Sequence, residues 1–161
     1  MTRPRIAAFI ILLVSLAILA TVFGLEYLGD YQPCEMCWWQ RYPYMAAALL
    51  SLIALIVANN AGLARVLFML LMVTFLASLA LAVYHTGVEW KWWPGPVSCT
   101  GSGFDPRFPI NNLITEMQRA RVTQCDEPEL TPLGFSLAAW NVVGSFILFL
   151  YSFIVMARRR A

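Results

Sequence analysis

The stretch IAAFIILLVSLAILATVFGL, from Ile6 to Leu25, decides the fold class of this chain because it contains no charged residue. As a helix rising about 1.5 Å per residue, it would cover a hydrocarbon core about 30 Å thick. Arg3 and Arg5 precede it. A cleaved signal peptide is the alternative, but its apolar part would be unusually long and no small-x-small cleavage pattern follows. The stretch therefore predicts a retained membrane anchor.

Three more apolar runs follow, at about residues 42–58, 63–84 and 133–156. Of the 161 residues, 60% are apolar and only 12% are charged, whereas soluble domains carry about 25% charged residues. The apolar runs are spread too evenly to leave room for a separate soluble core. The sequence therefore predicts a single-domain (1–161), all-α integral membrane protein, namely a four-transmembrane-helix bundle.

The charges predict how the bundle is oriented. All nine acidic residues lie in the two predicted loops, 26–41 and 85–132. The basic residues beside the other span ends are Arg3, Arg5, Arg65 and Arg158 to Arg160. Because basic residues near span ends stay on the cytoplasmic side, we expect both termini to be cytoplasmic. For a bacterial inner-membrane protein, both loops would then face the periplasm, where disulfides form and persist.

The second predicted loop is long and is expected to contain a short amphipathic helix. Asn111 or Asn112 could cap it. The apolar residues that recur there at helical spacing are Ile110, Leu113, Ile114 and Met117. Such a helix would either lie on the membrane or cover the end of the bundle.

Two cysteines stand immediately before the second apolar run, in Pro33-Cys34-Glu35-Met36-Cys37-Trp38-Trp39-Gln40-Arg41. A helix start and a nearby cation favour a thiolate, and Arg41 follows Cys37 at the spacing that shares one helix face. The motif predicts dithiol redox chemistry at a membrane surface. Half of a zinc site and a structural clip are the alternatives. A periplasmic location weighs against zinc, and the small loop that the disulfide would close weighs against a clip.

The other two cysteines, Cys99 and Cys125, lie in the long loop. Cys99 stands in Ser-Cys-Thr-Gly-Ser-Gly, a flexible setting that suits a disulfide approached by another protein. Each disulfide exchange needs a thiolate in line with a disulfide sulfur, so two cysteine sites in different settings predict a relay. A purely structural role for the loop cysteines is the alternative.

Several motifs together resemble the bacterial disulfide bond formation protein B (DsbB) family, over nearly the whole chain. They are Pro33-Cys34-x-x-Cys37-x-x-Gln40-Arg41, His85 with the Trp-rich segment to Pro96, the pair Cys99 and Cys125, and Leu133-Gly134-Phe135-Ser136 leading to Trp140-Asn141. The resemblance implies a quinone-dependent protein-disulfide oxidoreductase. Such a protein reoxidises a periplasmic, DsbA-like thioredoxin-fold partner and passes the electrons to membrane quinone, either ubiquinone or menaquinone. Its expected partners are that protein, membrane lipid and the quinone pool, and not nucleic acid.

The resemblance also implies a role for each cysteine. Cys99 would receive the partner's attack and Cys125 would resolve it. Cys34 and Cys37 would then take the electrons from the loop pair, with Cys37 nearest the quinone. No metal is expected.

Arg41 and His85 would lie at the quinone by the same resemblance. For Arg41 the alternative is a residue that snorkels to the interface, although it would do so on the side where basic residues are disfavoured. For His85 the alternative is a loop hydrogen bond. Asn141, inside the fourth apolar run, is expected to bond another helix. Glu35 departs from the family pattern, and an acid there disfavours a neighbouring thiolate, which affects the redox poise.

Three other functions are compatible with the sequence. The first is a non-catalytic membrane assembly protein whose cysteines form static disulfides or bind a metal. The second is a relative of the DsbB family dedicated to one special substrate. The third is an enzyme related to vitamin K epoxide reductase by chemistry alone.

Overall fold

The computed structural model of the chain describes residues 3–96, 124–128 and 130–157. In these residues it contains four α-helices and no β-strand. The helices are α1 (Arg3–Gly29), α2 (Glu35–Ile56), α3 (Ala61–Glu89) and α4 (Leu137–Ala157), and a short 3-10 turn at Pro132–Gly134 precedes α4. The all-helical prediction is therefore confirmed for the described residues. Cys99 and the amphipathic helix predicted near Asn111 lie outside them.

Three of the helices are long and apolar enough to cross a membrane, over Pro4–Gly29, Ala61–Glu89 and Leu137–Ala157. No more than 33% of each apolar window is buried inside the bundle, so most of these apolar side chains face outward. Outward-facing apolar surface on several long helices is what a lipid environment requires. The chain is accordingly a multi-pass membrane protein.

The second helix differs from the other three in composition. The 22-residue α2 begins at Glu35 and ends at Ile56, whereas the apolar run predicted there covers residues 42–58. Its first two turns contain Gln40 and Arg41, which lower its hydropathy, and it is not among the three spans defined by length and composition. By length and composition, three of the four helices thus qualify as membrane spans, and α2 does not.

α1 and α2 extend into the first predicted loop, of which only residues 30–34 remain, whereas α4 begins at Leu137 rather than at the predicted position 133. α1 continues to Gly29, and the backbone leaves the helix at Asp30, whose φ of 55° is left-handed. Asn60 is the N-cap of α3, and its side chain accepts a hydrogen bond from the Leu63 N–H. α3 ends at Glu89, and Lys91, two residues further on, has a φ of 60°. Residues with short polar side chains cap helices and tolerate left-handed turns, which explains why Asp30 and Asn60 stand at these boundaries.

The helices pack mainly in three neighbouring pairs: α3 with α4, α1 with α2, and α2 with α3. The main core is apolar and includes Ile11, Phe68, Leu71 and Phe75. The small residues buried between the helices include Ala8, Ala47, Ala64, Ser51, Ser78 and Ser145. Small side chains let helix backbones approach closely, which is how helices associate when no hydrophobic effect acts between them. A second, smaller core forms around Cys34 where α2 begins.

Candidate functional site

The two cysteines of the C-x-x-C motif meet at the first turn of α2. Cys34 is the N-cap residue, and its sulfur accepts a hydrogen bond from the Cys37 N–H over 3.2 Å. The two sulfur atoms are 2.6 Å apart, and both residues are free thiols. Cys34 is buried, whereas Cys37 is half-buried. The first turn of α2 therefore holds the two sulfurs close enough to form a disulfide with each other.

The two thiols differ in acidity. Both cysteines precede the apolar run of α2, which begins at residue 42. The Cys34 thiol donates a hydrogen bond to the Cys37 sulfur, which raises the pKa of Cys34, and burial of the Cys34 thiol raises it further. The same hydrogen bond lowers the pKa of Cys37, with a smaller contribution from the charge of Arg41, against the opposing effect of burial. Cys37 is therefore the sulfur that carries negative charge more readily.

His85 of α3 is buried beside the cysteine pair. Its Nε2 lies 3.7 Å from the Cys34 sulfur and 3.8 Å from Oε1 of Glu89, and its Nδ1 lies 2.5 Å from Nε2 of Gln40. Glu89 in turn accepts a hydrogen bond from the Ser136 hydroxyl. The structure thus brings His85 to the sulfur of Cys34, through a contact between α3 and the start of α2.

The same residues satisfy the geometry of a partial metal site. The ligand atoms of Cys34, Cys37 and His85 all lie within 4.8 Å of one another. Cysteine and histidine are ligands that zinc prefers. The expectation that the chain uses no metal therefore stays a prediction.

Arg41 is held inside the bundle rather than at its surface. The residue is 6% exposed, and its guanidinium forms an ion pair with Glu26 of α1. The guanidinium carbon lies 4.4 Å from the centre of the Trp38 ring and 4.8 Å from that of Phe23. A snorkelling side chain would extend to water, whereas this one is enclosed by two rings and a carboxylate.

The segment that contains Cys125 returns to the start of α2. Cys125 is buried in one cluster with Cys34, Met36 and Val88. It is disulfide-bonded, and its predicted partner, Cys99, lies outside the described residues. An ion pair between Lys91 and Asp126 ties this segment to the chain just beyond α3. The two predicted cysteine sites thus meet in space.

A cavity of about 470 Å³ opens onto this group of residues. Its walls are mostly apolar and include Val14, Ile18 and Leu25 of α1. The polar groups at its lining include Cys37, Arg41, His85, Cys34, Cys125 and Glu89. An apolar cavity with a few convergent polar groups is the usual form of a small-molecule site.

A chain of polar contacts continues from the site into the middle of the bundle. Asn141 of α4 donates a hydrogen bond from Nδ2 to Oε1 of Gln40, and its Oδ1 accepts one from the Tyr44 hydroxyl over 2.5 Å. Ser145 bonds to both Tyr44 and Ser78. Asn141 was expected to bond another helix, and it does. No role was predicted for Glu26, Tyr44 or Glu89, and Gln40 was named only as part of the motif. The spacing of Gln40 and Tyr44, and of Asn141 and Ser145, nevertheless indicates one polar face on each helix.

The structure combines several apolar spans with a pair of cysteines, one buried and one half-buried. A histidine, an enclosed cation and an apolar cavity lie beside the pair. This combination defines a membrane protein of thiol–disulfide chemistry. The sequence matches the family described as "Disulfide bond formation protein DsbB" over residues 4–155. The chain belongs to this family, and the resemblance noted from its motifs is confirmed.

Curated relatives support the same assignment. The chain is 30% identical to disulfide bond formation protein B of Cupriavidus pinatubonensis, over 98% of this chain and 95% of that protein. It is 29% identical to the protein of the same name from Marinobacter nauticus, over 93% of this chain and 90% of that one. An uncharacterised protein of Rickettsia prowazekii is 25% identical over 96% of this chain and 88% of its own length. The chain is thus a disulfide formation protein.

Proposed function

We propose that this chain is a quinone-dependent protein-disulfide oxidoreductase that reoxidises a DsbA-like periplasmic protein of the thioredoxin fold. The observation that carries the proposal is the meeting of the two cysteine sites. Cys125 packs in one cluster with Cys34, and both line the cavity that Cys37, Arg41 and His85 also line. A relay of disulfides needs this proximity, because each exchange requires contact between sulfurs.

The first exchanges would take place at the loop cysteines. A thiolate of the partner attacks the sulfur of Cys99, so that a mixed disulfide forms and Cys125 leaves as a thiolate. The partner leaves oxidised, and the loop pair is left as a dithiol that holds two electrons. The thiolate of Cys125 then attacks Cys34 of a Cys34–Cys37 disulfide, and Cys37 is the leaving group. Since a sulfur of lower pKa leaves faster, the lowered pKa of Cys37 favours this direction of attack.

The cavity residues fit a lipid-soluble quinone. Val14 and Ile18 offer apolar contact to a ring and its tail, while Arg41 offers a cation to ring oxygens and His85 lines the cavity beside the cysteines. Bound quinone would supply a two-electron acceptor beside Cys37. Arg41 would stabilise negative charge on the Cys37 sulfur and on a quinone oxygen, and its contacts with Glu26, Phe23 and Trp38 fix the guanidinium in place.

The proposed membrane arrangement has four spans, with α2 as the second. Its apolar part, from residue 42 to the helix end at Ile56, would cross most of the hydrocarbon core, and its first two turns would lie at the periplasmic surface. Its polar residues Gln40 and Arg41 are buried against other helices and so need not face lipid. In this arrangement both termini are on the cytoplasmic side of the bacterial inner membrane, and segments 26–41 and 85–132 face the periplasm.

The test is a turnover assay with the purified chain in lipid nanodiscs. A reduced DsbA-like protein is added with either ubiquinone or menaquinone, and the loss of partner thiols and of quinone absorbance is followed together. One quinone should be consumed for each disulfide formed. The Cys37→Ser variant is the matched control and should support no sustained turnover. Partner oxidation without quinone consumption, or no turnover with either quinone, would favour an assembly protein with static disulfides.

A further inference from the structure

The orientation of Asn141 is determined by its neighbours on α2 and α4. Its Oδ1 accepts hydrogen bonds from the Tyr44 hydroxyl over 2.5 Å and from the Ser145 hydroxyl over 3.0 Å. Hydroxyl groups can donate to an amide oxygen, so the carbonyl end of Asn141 is satisfied on this side. The amide nitrogen of Asn141 therefore faces Gln40, to whose Oε1 it donates.

Gln40 transmits this orientation to His85. Because its Oε1 accepts from Asn141, its amide nitrogen is the atom that faces Nδ1 of His85, at 2.5 Å. An amide nitrogen has hydrogens to donate and no lone pair to accept with. Nδ1 of His85 must then be the acceptor, and in a neutral imidazole the ring proton is on Nε2.

Nε2 of His85 faces the reactive cysteine. It lies 3.7 Å from the sulfur of Cys34 and 3.8 Å from Oε1 of Glu89, and the backbone carbonyl of Cys125 is a further acceptor near the imidazole. Gln40 and His85 are both buried, so bulk water does not compete for these positions. We propose that Asn141 and Gln40 are positioning residues that hold neutral His85 in the tautomer whose Nε2–H donates to the sulfur of Cys34.

The consequence of this hydrogen bond, which rests on the proposed function, concerns reoxidation of the C-x-x-C pair. In that step the two thiols lose two protons and two electrons as the bond between the sulfurs of Cys34 and Cys37 forms, and bound quinone would accept both protons and both electrons. The thiol–thiol hydrogen bond that occupies Cys34 in the dithiol is lost as this bond forms. A donor at Nε2 stabilises the anionic sulfur of Cys34 at this point, because hydrogen bonds to charged groups are among the strongest in proteins.

The test uses the fact that the chain contains a single histidine. Reduced protein labelled with nitrogen-15 at histidine is studied by NMR in nanodiscs without quinone, at a pH where the imidazole is neutral. The expected spectrum shows a protonated Nε2 and an unprotonated, hydrogen-bonded Nδ1. In Asn141→Leu the Gln40 amide is free to turn, and a population with the proton on Nδ1 should appear.

The matched control is Ser152→Ala, also on α4. Ser152 is buried, but its hydroxyl donates only to the Leu148 carbonyl of its own helix, so this variant should leave the histidine spectrum unchanged. Gln40→Met removes the donor to Nδ1 directly and provides a second variant should Asn141→Leu fail to fold. It should also shift the population towards Nδ1–H.

A second measurement tests the contact with sulfur. In a background that retains only Cys34, the rate of alkylation of this thiol should fall about tenfold in Asn141→Leu, as expected for a weakened hydrogen bond to an anion, and should not change in Ser152→Ala. A wild-type spectrum with the proton on Nδ1 would overturn the proposal. So would a tautomer unchanged in both Asn141→Leu and Gln40→Met. Because neither measurement requires quinone or a partner protein, failure of the turnover assay would count against the proposed function alone.

Discussion

Arg41 holds a positive charge where neither solvent nor lipid surrounds it. One carboxylate, from Glu26, and two aromatic rings, from Phe23 and Trp38, enclose the guanidinium. Arg41→Ala should lower turnover at limiting quinone by about tenfold to a hundredfold, because losing a charge-assisted contact costs about 1.5–3 kcal/mol. The measurement is the initial rate of partner oxidation as quinone concentration is varied.

Arg41→Lys separates the charge from the shape of this side chain. Lysine keeps the charge but lacks the planar guanidinium that lies over the Phe23 and Trp38 rings, so the activity of this variant should fall between those of the wild type and Arg41→Ala. Circular dichroism confirms that both variants keep their helices. Unchanged kinetics in a folded Arg41→Ala protein would show that the residue contributes only to packing.

The two thiols at the start of α2 should titrate in different pH ranges. The thiolate is the species that reacts with iodoacetamide, and the pKa of Cys37 is lowered whereas that of Cys34 is raised. In the reduced Cys99→Ser/Cys125→Ser protein, Cys37 should therefore be modified below its ordinary pKa of about 8.5, a range in which Cys34 stays protonated. Mass spectrometry of each peptide across a pH series measures this.

Denatured protein is the control for the two thiols. There the two rates should converge, since the helix start and the thiol–thiol hydrogen bond are lost. Equal rates in the folded protein, or faster modification of Cys34, would contradict the assignment of Cys37 as the more acidic sulfur.

Sequence patterns located the two cysteines and the arginine of this site better than the side chains that contact them. Cys34, Cys37 and Arg41 belong to one motif, where spacing along a helix is informative. The contacts of Gln40 with His85 and of Arg41 with Glu26 join different helices. Partners on separate helices depend on how the helices are rotated and packed, and one sequence carries little information about that.

The packing at the end of α3 depends on close contact between Gly87 and Trp93. A Cβ atom added at Gly87 would lie 2.0 Å from the Trp93 ring. That ring stacks on Tyr84 and donates a hydrogen bond to the Tyr84 carbonyl over 2.9 Å. Gly87→Ala should therefore displace Trp93 and lower the free energy of unfolding by about 1–3 kcal/mol, the usual cost of overpacking.

Gly24 on α1 provides the matched control, because a Cβ atom there meets nothing within 4 Å. Gly24→Ala should be neutral or stabilising by up to about 1 kcal/mol, since alanine favours the helix. Thermal unfolding in detergent, together with tryptophan fluorescence, compares the two variants. A Gly87→Ala protein as stable as Gly24→Ala would show that Trp93 moves without cost.

The positions of the long helices were largely predictable, whereas their ends were not. Apolar runs locate the part of a helix that faces lipid. A helix continues until its backbone is capped or turned, so α1 extends past Leu25 to Gly29 and α3 past Tyr84 to Glu89. These extra turns carry Glu26, His85 and Glu89 to the site, which explains why residues expected in loops lie on helices.

The distribution of charge along the chain predicts which side of the membrane each segment faces. A membrane-impermeant thiol reagent, applied after mild reduction to spheroplasts, should modify a cysteine in the 85–132 segment. A single cysteine placed at Ala161 in a cysteine-free variant should react only after the membrane is broken. Labelling in the opposite order would show that the proposed orientation is inverted.

The order of the relay can be tested by trapping. Cys125→Ser removes the resolving thiol, so a mixed disulfide between Cys99 and the partner should persist on non-reducing gels. The band should vanish in Cys99→Ser/Cys125→Ser, and Cys34→Ser/Cys125→Ser is the control in which it should remain. A complex that survives loss of Cys99 but requires Cys34 would mean that the partner docks directly at α2.

The modest hydropathy of α2 has a consequence for biogenesis. In the proposed four-span topology, this helix leaves the ribosome after α1, which supplies Glu26 to Arg41, but before α4, which supplies Asn141 to Gln40 and Ser145 to Tyr44. Only residues 57–60 separate α2 from the strongly apolar α3. A translocon that sorts segments by hydrophobicity would therefore release α2 into lipid together with α3, as one helical hairpin. Formation of the redox site is thus coupled to synthesis of α4, because Gln40 and Tyr44 find their partners on that helix only when it arrives.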